Sequence, residues 1–237
     1  MFEPGAIGPT LTNWTPPPPP TPEVMTGRLV ELAPLSAEHG PALWRAVKGR
    51  PELWLYMGSG PFEEEAAFLA WITAQAASTD PQFYAIRAPG AEWSGMASYM
   101  RITPKDGVIE VGSILYGPAL QGSPAATEAM FLMAERAFAL GYRRYEWKCN
   151  AFNRSSRRAA QRLGFSYEGV FRQHMVMKGR SRDTAWFSIL DGEWPALREA
   201  YQSWLSPGNF DPKGRQRRSL SALTAPLLKA RDPALDT

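Results

Sequence analysis

The sequence predicts a single α+β domain in which a central, mixed and mostly antiparallel sheet is flanked by helices. Three runs at 83–87, 94–102 and 108–116 have the character of strands, and turn residues join the last two, which predicts an antiparallel meander. Residues 110–165 then read as strand, glycine-containing turn, helix, strand and second helix. A chain of 237 residues is long enough to bury one core.

Capping residues and periodicity place the remaining elements. Ser36 is a typical helix N-cap, glutamates at 63–65 suit the first turn of a helix, and Gly141 and Gly164 are typical helix stops. The further strands are expected at 27–33, 144–150, 165–177 and 184–190, with a turn at 178–183, and the helices at 36–48, 61–77, 125–140, 153–163 and 194–204.

Proline and charge divide the chain into a proline-rich arm at 1–25, a domain at 26–205 and a basic tail at 206–237. The prolines at 16–20 favour polyproline II, so the arm is either a stiff extension or a ligand for an aromatic groove. Trp14 can pin the arm to the domain or to a neighbouring subunit. The tail carries several basic side chains and is expected to lie on the surface.

Composition excludes several classes of protein. The net charge of +3 argues against a generally basic surface for nucleic acid and leaves only the tail as a weak candidate. The single cysteine, Cys149, excludes an internal disulfide and a cysteine zinc site and predicts a reducing, cytoplasmic setting. The N-terminal residues lack the apolar run of a secretory signal, and no segment approaches the roughly 18 apolar residues of a membrane span.

Two helices that begin directly after strands are candidate anion sites, because a helix N-terminus offers unpaired N–H groups and a partial positive charge. The turn at 121–126 precedes the first of them, and its small residues let a phosphate approach the backbone. A plain connection has the same pattern, so the turn alone does not decide between the two interpretations.

The order of the motifs resembles the GNAT N-acetyltransferase superfamily, and more closely its ribosomal-protein-alanine acetyltransferase-like (RimJ/RimL-like) branch. The resemblance runs from about residue 27 to residue 194. The motifs that carry it are Gly27-Arg28-Leu29-Val30, Glu110-Val111-Gly112, Gln121-Gly122, Ala126-Thr127-Glu128-Ala129, Asn153 with Ser156, Leu163-Gly164-Phe165 and Glu168-Gly169.

This resemblance implies a sheet splayed into a V, with acetyl-CoA in the gap as co-substrate and no metal. In one respect the sequence departs from the family pattern, since Pro124 stands where a second glycine is usual and has no N–H to offer a phosphate. The implied cofactor contacts are Ile114, Leu115 and Tyr116 for the pantetheine, Gly122, Ser123, Ala125, Ala126 and Thr127 for the pyrophosphate, and Asn153 and Ser156 for the pantetheine arm and the sulfur.

Arg157 and Arg158 begin the second helix, where they can reach the 3′-phosphate or ribose of CoA or can simply be solvated.

For catalysis, Glu110 is the candidate general base, with a salt-bridged strand carboxylate as the alternative. Ser156 is placed to stabilise or protonate the leaving thiolate. Tyr116 is either an acid near the sulfur or a side chain at the edge of the core. Three further side chains have simpler structural interpretations: His174 as a strand residue, Asp183 as a turn cap and Cys149 as an inert thiol.

The leading hypothesis is direct acetyl transfer to a primary amine, on a protein N-terminus or on a small molecule. Residues 53–58 lie in the region that shapes the acceptor pocket in relatives. The alternative is a non-catalytic acyl-CoA-binding or protein-interaction module on the same scaffold. A homodimer is possible, and the sequence leaves the acceptor open.

Overall fold

Eight strands form one open sheet in the computed structural model, which describes residues 8–235. Their order across the sheet is β1-β2-β3-β4-β5-β6-β8-β7, and every neighbouring pair is antiparallel except β5 and β6, which are parallel. The strands are β1 (Met25–Thr26), β2 (Glu31–Pro34), β3 (Gln82–Arg87), β4 (Gly95–Thr103), β5 (Val108–Tyr116), β6 (Arg144–Asn150), β7 (Ser166–Met177) and β8 (Arg180–Leu190).

Helices cover both faces of this sheet. Helices α1 and α2 pack with Phe83, Met96 and Leu115 on one face, whereas α3, α4 and α5 contribute to the larger core on the other. The predicted mixed, mostly antiparallel sheet flanked by helices is therefore confirmed. The helices are α1 (Gly40–Val47), α2 (Glu65–Ala76), α3 (Pro124–Ala139), α4 (Arg154–Arg162), α5 (Trp194–Leu205) and α6 (Leu220–Thr224).

A strand prediction and a turn prediction were wrong, and the helix predicted from residue 61 begins only at Glu65. The expected strand at 27–33 is interrupted, because the Glu128 carboxylate accepts the backbone N–H groups of Arg28 at 3.2 Å and Leu29 at 2.5 Å and turns the chain between β1 and β2. The expected turn at 178–183 is shorter, since Lys178 and Gly179 both have positive φ and the next residue already pairs with β7.

The parallel pair β5–β6 comes apart partway along its length. Its backbone pairing runs from Val108↔Arg144 to Val111↔Trp147 and then stops, although β5 continues to Tyr116 and β6 to Asn150. A register shift between β4 and β5 falls at this point, and Ser113 there has a φ of 51°. Each strand keeps its outer neighbour, so the sheet opens as a V between the two strands.

Both ends of the described chain pack on the domain. In the arm, Gln82 Nε2 donates to the carbonyl of Pro20 at 2.9 Å, and Arg136 donates to the carbonyl of Thr21 at 2.7 Å. In the tail, α6 lies against α4 and α5, and Asp232 is fully buried. Residues 1–7 of the predicted arm and 236–237 of the predicted tail lie outside the described residues. No helix within 8–235 is long and apolar enough to cross a membrane.

Candidate active site

The turn before α3 presents backbone N–H groups at one end of the V. Ser123 caps the helix, because its hydroxyl accepts the N–H of Ala126 at 3.1 Å and donates to the carbonyl of Leu120 at 2.8 Å. Pro124 is the first helical residue and has no N–H. Within residues 8–235, the N–H groups of Gly122 and Ala125 have no hydrogen-bond partner. Two donors therefore remain for an anion at this turn.

The other residue of that first turn, Thr127, faces inward. It is buried, and its hydroxyl lies 3.1 Å from a guanidinium nitrogen of Arg162. Its contact is therefore with α4 rather than with solvent.

Past the point where β5 leaves β6, the strand exposes an unpaired edge at Ile114, Leu115 and Tyr116. An unpaired strand edge can pair with the amides of an extended ligand. Leu115 itself packs toward α1 and α2. The Tyr116 ring leans on the opposite face, where its hydroxyl lies 3.5 Å from the carbonyl of Ala126, and burial raises the pKa of this phenol well above its ordinary value.

The start of α4 holds the second group of predicted site residues. Asn153 caps this helix, with its side-chain oxygen accepting the N–H of Ser156 at 3.0 Å. The Ser156 hydroxyl accepts the indole N–H of Trp147 at 3.0 Å. Burial raises the pKa of the neighbouring Cys149 thiol, and a hydrogen bond with Ser156 opposes that rise.

The two arginines that follow Ser156 diverge. Arg157 turns inward, where it forms a two-pronged ion pair with Asp232 at 2.5 Å and donates to the carbonyl of Ala151 at 2.7 Å. Arg158 is exposed. Arg157 is thus occupied by its ion pair with Asp232 of the tail, and of the two arginines only Arg158 is exposed to solvent.

Glu110 lies at the mouth of the V with only 2% of its surface exposed. Its Oε2 is 2.8 Å from Arg101 and 3.1 Å from the Lys148 Nζ, and Lys148 also contacts Glu146 at 2.8 Å. Burial raises the pKa of the Glu110 carboxyl, while Lys148 and Arg101 oppose the rise. Glu110 is therefore both a salt-bridged strand carboxylate and a carboxylate with enhanced basicity.

Strand register places the two candidate groups on opposite faces of the sheet. Glu110 pairs with Glu146 and Val111 with Trp147, and neighbouring residues on a strand point to opposite faces. Glu110 and Lys148 therefore lie on one face, whereas Trp147 and the Ser156 hydroxyl lie on the other. Both flank the point at which the V begins, so a group that passes through the V meets one from each side.

On the Glu110 side, a cavity of about 560 Å³ lies beside the end of β6. The predicted acceptor region contributes Leu55 and Tyr56, and Asn150 and Phe152 line the side next to α4. The Tyr56 hydroxyl donates to the carbonyl of Phe152 at 3.2 Å, and the Lys178 Nζ donates to the carbonyl of Trp54 at 2.8 Å. These two contacts join the loop after α1 to both other walls.

The β7–β8 hairpin also contributes to this cavity, which was not predicted from the sequence. Lys178, Arg180 and Arg182 line it, and the only signal for them was a run of basic residues assigned to a turn. Asp183 accepts the N–H of Gln173, and His174 Nδ1 lies 3.0 Å from the Thr184 hydroxyl. Among residues 8–235, no group of three or more histidine, cysteine or acidic side chains is placed to hold a metal ion.

The site is an open V between two parallel strands, with a helix N-terminus at one end and a buried carboxylate beside it. Residues 29–166 match the family model of the acetyltransferase (GNAT) domain, which is more than half of the chain. The protein belongs to the GNAT acetyltransferases, as the sequence motifs predicted. This family uses acetyl-CoA.

Solved structures agree with this assignment. A GCN5-related N-acetyltransferase from Brucella melitensis is 48% identical over 91% of this chain and 100% of that chain, with a TM-score of 0.88. A probable GNAT-family acetyltransferase from Chromobacterium violaceum is 42% identical over 79% of this chain and 96% of that one, with a TM-score of 0.75. No curated protein matches the chain.

The RimL-type neighbours are more distant. The acetyl transferase from Salmonella typhimurium that modifies the N-terminal serine of ribosomal protein L7/L12 is 20% identical, covers 71% of this chain and 99% of its own, and has a TM-score of 0.63. At that level of identity the likeness shows a shared fold.

Proposed function

We propose that this protein is an acetyl-CoA-dependent N-acetyltransferase that moves the acetyl group directly to a primary amine. The observation that carries the proposal is the V between β5 and β6, which is flanked by Glu110 on one face and by the Ser156 hydroxyl on the other. This arrangement supplies a proton acceptor and a proton donor on the two sides of one passage.

The chain has groups suited to each part of the co-substrate. The free N–H groups of Gly122 and Ala125 suit the pyrophosphate, and Ser123 fixes the turn that presents them. The open edge of β5 at residues 114–116 suits the pantetheine amides. The side-chain NH₂ of Asn153 and the exposed Arg158 are the remaining candidates, for the arm and for the 3′-phosphate or ribose.

The reaction follows from these positions. The acceptor amine attacks the thioester carbonyl, so that the new C–N bond forms and the C–S bond breaks. Glu110 accepts the proton that the amine loses, with its raised pKa making it a better acceptor than an exposed carboxylate. The thiolate of CoA leaves, and the Ser156 hydroxyl is the proposed group that stabilises or protonates it. Tyr116, whose hydroxyl lies against α3, is the weaker candidate for this step.

Two acceptors fit the chemistry: the α-amine of a protein and the amine of a small molecule. The L7/L12-modifying neighbour exemplifies the first, at an identity that gives it little weight. The alternative of a non-catalytic acyl-CoA-binding module is less favoured, because the V, the buried carboxylate and the serine hydroxyl are all present together.

Binding and turnover test the proposal separately. Acetyl-CoA and CoA are each expected to raise the melting temperature, since a ligand that binds only the folded state stabilises it. Release of free thiol from acetyl-CoA in the presence of an amine panel then reports transfer. A thermal shift without amine-dependent thiol release would favour the binding module, and no shift with either ligand would contradict both.

Replacement of Ser156 tests the proposed proton donor. Ser156→Ala is expected to lower kcat by on the order of 100-fold while leaving acetyl-CoA affinity unchanged, because one donor to a developing charge is lost. Ser155→Ala is the matched control, since Ser155 is the exposed neighbour on the same helical turn. Equal kcat in the two variants would reject the role assigned to Ser156.

A further inference from the structure

The cavity at the end of β6, on the Glu110 face of the sheet, is lined by basic side chains without an acidic side chain. Three basic residues of the β7–β8 hairpin, Lys178, Arg180 and Arg182, contribute to its wall, and no aspartate or glutamate does. None of the three forms an ion pair with a carboxylate in the described part of the chain. Lys178 is held by the carbonyl of Trp54, so the two arginines carry the unmatched charge.

Of the two arginines, Arg182 gives the stronger evidence for an anion site. Its side chain is half-buried, and its Nε is buried with no hydrogen-bond partner in residues 8–235. One terminal nitrogen contacts the Met177 sulfur at 3.8 Å, which is a weak acceptor. Burial of a guanidinium without a hydrogen-bond acceptor costs free energy. An anion bound to the two parallel N–H groups of the guanidinium removes that cost.

Two other arginines of the domain are paired with carboxylates within the chain. Arg144 contacts Glu146 at 2.7 Å and Glu168 at 2.6 Å, and Arg157 has its buried pair with Asp232. Arg182 has no such partner among residues 8–235, so an anion from outside the chain can fill that position.

Arg182 also lies on the reacting side of the sheet. Asn150 pairs with Thr184, and Lys148 pairs with Trp186, so alternate β8 residues share the face of Lys148 and Glu110. Arg182 is the next residue of that series. Burial lowers its pKa, and the charges of Arg101 and Glu110 act on it as well, which places Arg182 within electrostatic reach of the candidate base.

We propose that the acceptor is a small amine that also carries a carboxylate or phosphate group, with this anion bound by Arg182 and Arg180 while the amine faces Glu110. The inference rests on the proposed function and names the substrate class of the same site. Glu110 and Arg182 lie on the same face of the sheet, and the cavity borders the end of β6 on that face.

The dimensions of the cavity fit a small molecule. A volume of about 560 Å³ lies within the range of small-ligand pockets. The contacts Tyr56–Phe152 and Lys178–Trp54 connect its walls. Peptide N-termini are included among the acceptors tested below, so that transfer to a protein acceptor would be detected.

Paired acceptors that differ only in the anion test this assignment. The kcat/KM for acetyl transfer is compared for L-phenylalanine and L-phenylalaninamide, for L-leucine and L-leucinamide, and for O-phosphoethanolamine and ethanolamine. In the wild type at least one anionic member is expected to exceed its neutral partner by about tenfold or more, through a lower KM, which is the usual effect of a hydrogen-bonded charge pair. The carboxylate and phosphate pairs distinguish the two sources of the anion.

Variants of Arg182 assign the preference to this side chain. Arg182→Gln is expected to remove the preference, and Arg182→Lys to restore part of it because the charge remains and the fork is lost. Arg172→Gln is the matched control, because Arg172 is an exposed arginine on β7 that does not line this cavity. Thermal stabilisation by CoA is expected to be the same in all four proteins.

A second measurement keeps the inference testable without turnover. Calorimetry on the CoA-saturated protein compares the affinities of the same pairs, and the anionic member is expected to bind more tightly in the wild type and not in Arg182→Gln. Equal affinity for both members of every pair would overturn the inference. So would faster acetylation of unrelated peptide N-termini than of any small anionic amine.

The inference and the proposed function fail in different ways. Transfer to amines without preference for an anion leaves an N-acetyltransferase and removes the anion site. Arg182-dependent binding of anionic amines without any transfer leaves the anion site and contradicts the proposed reaction.

Discussion

Glu110 shares Lys148 with Glu146, and this sharing determines how Glu110 behaves. Lys148 is 7% exposed at its side chain, contacts both carboxylates, and lies 3.8 Å from the centre of the Trp186 ring. Because Lys148 contacts two carboxylates and the Trp186 ring, its ammonium group keeps its position when Glu110 gains or loses a proton. The charge of Glu110 therefore changes while the charged groups around it stay in place, which is the preorganisation that a general base requires.

The pH dependence of activity follows from the direction of this pKa. Because the pKa of Glu110 is raised by burial, the carboxyl is neutral and unable to accept a proton at lower pH, and activity is expected to rise as pH increases through that pKa. Glu110→Gln is expected to lose this rising limb and to lower kcat by on the order of 100-fold, with acetyl-CoA binding retained.

Glu146→Gln is the matched control for that variant. It removes a carboxylate from the same lysine, at the paired position on β6, without removing the candidate base. A pH profile of Glu110→Gln that keeps the wild-type limb would assign the base to another group.

At the scale of elements, α3 has an unusual N-terminus for a helix expected to hold phosphates. Ser123 uses its hydroxyl to satisfy the N–H of Ala126, Pro124 supplies none, and the N–H groups of Gly122 and Ala125 have no partner within residues 8–235. Pro124 therefore fixes the backbone of the first helical residue, but it also removes one N–H group that could bind an anion.

Replacement of the proline measures that exchange. Pro124→Ala adds an N–H at the first helical position and is expected to tighten CoA binding by up to about tenfold if the phosphates lie on this turn. Calorimetry with CoA provides the measurement. Pro118→Ala, at an exposed proline earlier in the same loop, is expected to change nothing. Unchanged or weaker affinity in Pro124→Ala would mean that the phosphates bind elsewhere.

The elements that periodicity and capping define were predictable, and those that depend on distant partners were not. The helix predicted at 125–140 and the strand at 144–150 agree with α3 and β6, because their stripes, caps and stops are local. The break in the strand predicted at 27–33 depends on Glu128, which follows about a hundred residues later. Nothing near residue 28 in the sequence indicates that contact.

The candidate site likewise contains some residues that local sequence predicts and others that depend on distant segments. Ser123 and Asn153 are helix-cap positions, Ser156 lies in the first turn of α4, and a sequence pattern locates such positions. The commitment of Arg157 to Asp232 and the orientation of Arg182 into the cavity arise from segments that meet only in the folded molecule.

Over the whole molecule, the tail is joined to the active-site helix by a buried ion pair. Asp232 is fully buried and accepts two hydrogen bonds from Arg157, the residue directly after Ser156. The N–H of Asp232 also donates to Gln161 Oε1 at 2.8 Å, so the same aspartate contacts α4 at two points.

Removal of one charge should therefore destabilise the fold. Asp232→Asn is expected to lower the free energy of unfolding by about 3 kcal/mol, because it leaves the Arg157 guanidinium buried without its counter-charge. Urea unfolding followed by tryptophan fluorescence measures the difference. Asp211→Asn, which breaks the exposed pair with Arg215, is expected to have little effect. Similar losses in both variants would show that the tail contributes no more than a surface segment.

The strand order β6-β8-β7 has a consequence for how the chain is made. The strand that lies between β6 and β7 is the last of the three to be synthesised, so neither neighbour has its partner until residues 180–190 have left the ribosome. Until then β6 presents an open edge, and a direct β6–β7 pairing would have to be undone before β8 could enter. The hairpin that carries Lys178 and Arg182 is thus also the piece that completes the sheet, and a nascent chain arrested before it would lack the acceptor wall and half of the pairing of β6.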